Sequence, residues 1–375
     1  MMRFLKWISI PLVAFTMFVM PGCVVQKNPI SGQRRAYGYS WEEEKRIGRE
    51  ADQQIQQQYG LYDDPRLSDY VKEVGQAVLE VSHMRREDTD PRYKNTEFHF
   101  RLLNSPVVNA FALPGGYVYV TRGLMSHLNN EAQLAVVLGH EIGHVAARHA
   151  SQRAFEQKLG QVALIGGAVA GQELLGLPGG SLLDLGSTAA QMLFLQYGRD
   201  DERESDRLGV EYAAMQHYEA AEGAAFFTSL KRMSEKSGQS IPSFLSTHPE
   251  PGEREQTIPK LARQWEEKGY SQTRVDKDQY MNAIDGMVYG DNPREGFTRE
   301  QTFYHPDLKF RFPYPAGWRV VNEASRVLIA NEEGNAVVIL QVDSESSGAL
   351  ASARKFLEQE GITVTSQSSA LSNGL

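Results

Sequence analysis

The segment His140-Glu141-Ile142-Gly143-His144 constrains this chain more than any other. Residues i and i+4 of an α-helix are separated by about 400°, so their side chains lie about 40° apart, one turn along the axis. A helix here points two imidazoles at one place, with the Glu141 carboxylate one step round. Residues 130–150 read as that helix, with Leu134, Val137, Leu138 and Val145 at apolar positions. Two neutral imidazoles at this separation suit one divalent ion per chain, above all Zn²⁺. Glu141 can reach a water on such an ion without ligating it. A catalytic zinc takes three protein ligands and keeps water at the fourth position, so another ligand must come from elsewhere.

One downstream run offers it: Gly198-Arg199-Asp200-Asp201-Glu202-Arg203-Glu204-Ser205-Asp206. Glu202 and Asp206 are again i and i+4, on one helix face. Glu202 suits a ligand, and Asp206 a partner that accepts a hydrogen bond from the second nitrogen of a ligating histidine and fixes its tautomer. A solvated, salt-bridged helix face is the other reading of so charged a run. The spacing alone leaves both open.

The chain around these motifs divides unevenly. Residues 1–22 read as a signal peptide of lipoprotein type: Arg3 and Lys6, an apolar run over 7–20, then Pro21-Gly22 before Cys23, the single cysteine of the chain. The run is shorter than the roughly 20 residues that span a bilayer. Similarity to lipoprotein sorting, with Val24 after Cys23, implies a lipid anchor at Cys23 on the periplasmic side of the outer membrane. A soluble periplasmic or secreted protein is the alternative. Residues 23–39 read as a linker. Ser40-Trp41-Glu42-Glu43 has the form of a capping box opening a helix to about Gln58. A second helix starts near Arg66. Residues 97–103 alternate, and 109–120 hold two β-like runs around Pro114-Gly115-Gly116, so a small sheet is expected.

Residues 160–186, rich in Gly and broken by Pro178-Gly179-Gly180, suggest a buried helical segment with a mobile loop, placed to act as a lid. Helices follow over 200–216 and 222–236. The character changes near 285–296, and 291–375 reads as a second, small α+β domain. Its Phe312-Pro313-Tyr314-Pro315-Ala316-Gly317-Trp318 resembles the signature of small PsbP-like domains. The chain stops without an obvious closing element, which fits an incomplete domain. The expected fold class is α+β: a mainly helical domain with a small sheet over 40–290, plus the C-terminal domain. One cysteine permits no internal disulfide. A net charge of −8 without a basic tract argues against a nucleic-acid partner.

From residue 41 to about 286 the chain resembles the gluzincin metallopeptidases, the zincin-type family that includes the HtpX-like and CAAX-prenyl endopeptidases and their periplasmic BepA-like relatives. The resemblance rests on Asn109-Ala110-Phe111-Ala112 with Pro114-Gly115-Gly116, on His140 to His144, and on Glu202 to Asp206. It implies zinc on His140, His144 and Glu202, Glu141 as general base towards a metal-activated water, and Asp206 supporting a ligand. Gly198 and Ser205 stand where the family usually shows Ser and Ala, which bears on helix packing rather than on ligands.

The implied activity is endopeptidase cleavage of unfolded or misassembled envelope proteins. Asn109, Phe111, Gly116 and Val118 are the expected substrate-binding residues, through pairing of an extended chain with a strand edge. His248, in Ser246-Thr247-His248-Pro249, is expected to cap the metal or assist the reacting carbonyl; a turn residue held by the prolines is the other reading. Arg254 is a candidate for orienting substrate or a carboxylate. His149 falls on the opposite helix face and is expected to be structural, and His83, His99, His127, His217 and His305 to be surface or packing residues. Two rivals remain: a chaperone-like or substrate-binding lipoprotein stabilised by zinc, and a structural lipoprotein whose His-Glu motif is accidental.

Overall fold

The computed structural model of the chain describes residues 23–159, 197–237, 244, 248, 251–322, 326–333, 335–341, 348–358 and 363–366. The expected signal segment and the expected lid over 160–186 lie outside the described residues. The chain forms two compact units that meet in sequence between Asn292 and Pro293. The architecture is α+β. No helix among the described residues is long and apolar enough to cross a membrane.

The first unit begins with a hairpin where a linker was expected. Strands β1 (Val24–Lys27) and β2 (Arg34–Tyr37) pair antiparallel. Asn28 makes the turn: its Oδ1 accepts from the Ile30 and Ser31 amides, and its Nδ2 donates 3.0 Å to the Ala147 carbonyl. Tyr37 is fully buried, so the hairpin is packed and not a tether. Helix α1 (Trp41–Tyr59) opens on the expected capping box of Ser40 and Glu43. Helix α2 (Pro65–Glu80) is capped by Asp64 and has proline in its first turn, where the missing N–H is harmless.

The sheet comprises β3 (His99–Leu103), β4 (Ala110–Leu113) and β5 (Tyr117–Thr121), in the order β3-β5-β4. β5 runs parallel to β3 and antiparallel to β4. The β4–β5 turn needs Gly115 and Gly116, at φ +82 and +101. Every residue of β5 is buried, as its central place requires.

Helix α3 (Glu131–Ala147) carries the His-Glu motif. Asn130 caps it, its side chain accepting the Gln133 amide at 3.0 Å. All of its residues are buried, the mark of an interior helix. It ends at Arg148, in the left-handed region at φ 62, and a new helix, α4, runs over 149–159. Then come α5 (Arg199–Met215), α6 (Gly223–Ser237), α7 (Pro251–Glu267) and α8 (Lys277–Ile284). Helix α7 contains Pro259, a residue that speaks against a helix in the sequence.

Helices α3 and α5 cross almost backbone to backbone. A Cβ on Gly139 would lie 3.0 Å from Gly209 Cα, and one on Gly209 would lie 2.8 Å from His140 N. Ser205, fully buried, sits across from Gly143. Small residues at this crossing thus deliver the acidic face of α5 to the imidazoles of α3. The crossing joins a core that includes Val71, Val118, Leu134, Leu138, Leu208 and Tyr212.

The second unit holds two antiparallel three-stranded sheets, β6-β7-β8 (Phe297–Arg299, Thr302–His305, Phe310–Pro313) and β9-β10-β11 (Arg319–Asn322, Arg326–Ala330, Val337–Gln341), and a helix α9 (Ala349–Leu357). Its core is small: Phe303, Val327 and Ile329, ringed by Phe310, Phe312, Tyr314, Trp318 and Val320. Residues 363–366 form no strand.

Candidate metal centre

His140, His144, Glu202 and His248 bring one donor atom each to within 4.8 Å of one another, and all four residues are buried. His140 Nε2 and His144 Nε2 are 2.9 Å apart. Glu202 Oε1 lies 3.4 Å from His144 Nε2, and its Oε2 lies 3.6 Å from His140 Nε2. His248 Nδ1 is 3.0 Å from Glu202 Oε1 and 3.3 Å from His140 Nε2. The structure thus brings α3, α5 and the segment before α7 to one point.

The electrostatics follow from burial. Burial holds the His140 and His144 rings well below the usual histidine range, so both are neutral. Burial pushes Glu202 up, but His248 and His144 outweigh it and hold the carboxyl well below its ordinary range. Glu141 is pushed up to about 7 by burial. Both of its oxygens, and His248 Nε2, are buried without a hydrogen-bond partner. Two neutral imidazoles facing each other through nitrogen atoms, beside a carboxylate, are a donor set that a divalent cation satisfies and that little else does. The residues therefore fit a zinc ion.

Asp206 and Arg254 frame the cluster. Asp206 Oδ1 lies 2.9 Å from His140 Nδ1, the nitrogen turned away from the other donors. Arg254, on α7 and buried, grips Glu202 through Nη2 and Asp206 through Nε at 2.8 Å. It therefore orients the two carboxylates, one of the two roles expected of it. Gly198 precedes α5, its amide donating 3.0 Å to Asp201. A Cβ there would meet only the far end of the Arg153 side chain, which can give way, so a Ser would also be accommodated.

His149 corrects the sequence reading. One continuous helix would put His149 on the opposite face, but the break at Arg148 returns it to the site, fully buried, with Nδ1 3.0 Å from His144 Nδ1. Tyr197, which sequence reasoning missed, stacks on His144 with ring centroids 3.9 Å apart. Its only sequence signal is adjacency to the acidic run. The other histidines of the first unit do not join the cluster; His83, for one, is buried against Tyr212.

The expected substrate-binding residues separate. Asn109 ends in a buried Oδ1 that has no hydrogen-bond partner, next to β4. Phe111 lies on β4, stacked on Tyr119 at 4.7 Å. Ala112 and Leu113 of β4 line a small cleft together with His144 and Tyr197. Val118 does not serve as an edge residue: β5 is paired on both sides, so its backbone is already used. Among the described residues β4 pairs only with β5 and leaves its outer side open. Gly116 is a turn residue whose carbonyl accepts the His99 amide at 2.8 Å.

The family model described as peptidase family M48 matches residues 67–262, more than half of the chain. The chain belongs to that family. It is 31% identical over 198 residues to the beta-barrel assembly-enhancing protease of Escherichia coli K12, covering 52% of this chain and 38% of that protein. The protein of the same name from Yersinia pestis is 31% identical over 195 residues, covering 51% and 38%. The mitochondrial metalloendopeptidase OMA1 of Schizosaccharomyces pombe is 28% identical over 227 residues, covering 59% and 61%. The matched stretch thus spans about two-fifths of the length of the bacterial relatives.

Proposed function

We propose that the chain is a zinc-dependent endopeptidase of the cell envelope that cleaves unfolded or misassembled envelope proteins. One observation carries the reading: two neutral imidazoles converge with a carboxylate beside Glu141, a buried carboxyl whose oxygens accept no side-chain hydrogen bond. His140, His144 and Glu202 would hold the ion. Bound there, zinc would supply a Lewis acid for the scissile carbonyl and acidify a water. Glu141, with its pKa pushed up to about 7, is suited to take a proton at neutral pH and return it to the leaving amine. An extended substrate would pair with the outer side of β4, whose backbone presents main-chain groups independent of sequence.

His248 stands in the way of substrate. It lies 3.6 Å from Glu141 Oε1 as well as against Glu202, and it must withdraw before a carbonyl can approach. Low basal activity follows. The envelope assignment is supported by the expected export signal and by the names of the bacterial relatives. A lipid anchor at Cys23, half-buried and unpaired, belongs to the same proposal.

The test is degradation of casein by the chain from Cys23, in parallel with Glu141→Gln and with bound zinc quantified. Cleavage by the wild type alone, with about one zinc in each protein, is expected. Zinc in both with no cleavage in either, even after His248→Ala, favours the chaperone-like alternative. A zinc-free wild type overturns the reading.

A further inference from the structure

We propose that His149 and Glu204 form a relay that fixes the tautomer of His144, which makes His149 a positioning residue for the metal. The inference rests on the zinc reading above and extends it to residues outside the ligand set. The two imidazoles of α3 are supported differently. His140 has a carboxylate directly behind it, Asp206, 2.9 Å from Nδ1. Behind His144 stands another imidazole, with His149 Nδ1 at 3.0 Å from its Nδ1. The carboxylate lies one step further out, with Glu204 Oε2 3.2 Å from His149 Nε2 and Asp201 Oδ1 at 3.8 Å.

Proton bookkeeping then leaves one arrangement. His144 turns Nε2 towards Glu202 and His140, so a ligating His144 must offer its lone pair there and carry its proton on Nδ1. That proton needs an acceptor. His149 is fully buried, and its Nδ1 is the acceptor within reach, so its own proton must sit on Nε2, facing Glu204. The reversed relay would put the His144 proton on Nε2, pointing into the cluster and excluding a cation. Ser205 Oγ, 3.4 Å from His149 Nδ1, stands beside the same contact.

The placement depends on the break in the helix. Continued past Ala147, α3 would carry His149 about 140° round the axis from His144. Arg148 takes the left-handed conformation instead and is held there. Its Nε donates 2.9 Å to Glu44, its Nη2 donates 2.9 Å to the Tyr39 carbonyl, and its guanidinium lies 3.7 Å from the Tyr37 ring centroid. The stacked Tyr197 fixes the plane of the His144 ring; the relay fixes its proton.

Zinc affinity by chelator competition tests the relay, together with nitrogen-15 NMR of histidine in the zinc-loaded wild type. His149→Leu should weaken zinc about 10- to 100-fold while the apoprotein melts close to wild type. His149→Asn, whose amide oxygen falls near the lost Nδ1, should restore affinity to within about threefold of wild type. NMR should show His144 protonated on Nδ1 and His149 on Nε2. The NMR reads the wild type, so it decides even if His149→Leu does not fold. Equal zinc affinity in wild type and His149→Leu, or a proton on His149 Nδ1 in the zinc-loaded protein, overturns the relay and leaves the zinc reading standing. A wild type that binds no zinc overturns both.

Discussion

Two buried glutamates on one helix show how differently the same side chain can be housed. Glu131, at the start of α3, is saturated: Tyr70 and Tyr218 donate hydroxyls at 2.5 and 2.6 Å, and Arg274 donates at 3.0 Å. Glu141, in the middle of the same helix, is fully buried and neither of its oxygens has a hydrogen-bond partner. His248, 3.6 Å away, offsets that burial only in part; such burial is unfavourable and persists where chemistry uses the group. The first site pins the N-terminus of the helix with its paired charge, while the second holds a base ready. Stability and function are thus separated along one helix, and substitutions should separate them too.

The largest expected effect falls on Glu141. Glu141→Gln should lower cleavage by about 10²- to 10⁴-fold, the range of a lost general base. The apoprotein should be no less stable than wild type, because an unpartnered buried carboxyl has been replaced by an uncharged isostere. Kinetics with thermal melts reads both; a strongly destabilised Glu141→Gln would break the contrast with Glu131.

Zinc itself comes next. Saturation at a thousandfold excess over Kd should raise unfolding free energy by about 4 kcal/mol, and a chelator should remove that increment. The increment should be the same in Glu131→Gln, since the two sites on α3 share no partner. Glu131→Gln should lower stability by about 3 kcal/mol, through three donors left facing an amide, with zinc affinity unchanged. Denaturant melts with and without zinc decide it; an affinity loss in Glu131→Gln would show that the two sites are coupled.

The site was legible where it depends on spacing along one helix and obscure where it depends on a change of direction. His140, Glu141 and His144 follow from i, i+4 geometry; the same rule puts Glu202 and Asp206 on one face, but their role rested on the family resemblance. His149 does not, because nothing local marks Arg148 as left-handed: that conformation is imposed by Glu44 and Tyr37 from distant segments. The hairpin at Val24–Tyr37 was hidden in the same way, since the partners that bury it, such as Ala147, lie far along the chain. Helix α7 was hidden by Pro259, although Arg254 on it was legible as a candidate for orienting a carboxylate. The sheet was visible in composition, but its strand order was not: two β-like runs give a hairpin without saying which strand a third will join, and β3 joined β5. That order moved the free edge to β4 and took Val118 out of reach.

The smallest expected effect concerns a third buried polar cluster, which tests whether saturation alone predicts a purely structural role. His83 Nε2 accepts from Arg86 Nη1 at 2.7 Å and Nδ1 shares a hydrogen bond with the Tyr212 hydroxyl at 2.9 Å, with Glu211 4.0 Å away. Burial, then the Arg86 and Arg207 charges, lowers its pKa to about 4. The unfolded chain, with an ordinary histidine near pH 6.5, therefore binds the proton first as pH falls. Stability from this group is complete above about pH 6.5 and is lost progressively down to about pH 4, by about 2 to 3 kcal/mol. Carboxylates titrate in the same window, so the comparison must be with His83→Gln under identical conditions. The variant should lose that much less stability between pH 7 and pH 4, while its zinc affinity at neutral pH stays that of wild type. An unchanged slope would mean that His83 is charged in the fold. A changed zinc affinity would mean that polar clusters remote from the centre bear on it, and the division of labour along α3 would no longer hold for the rest of the unit.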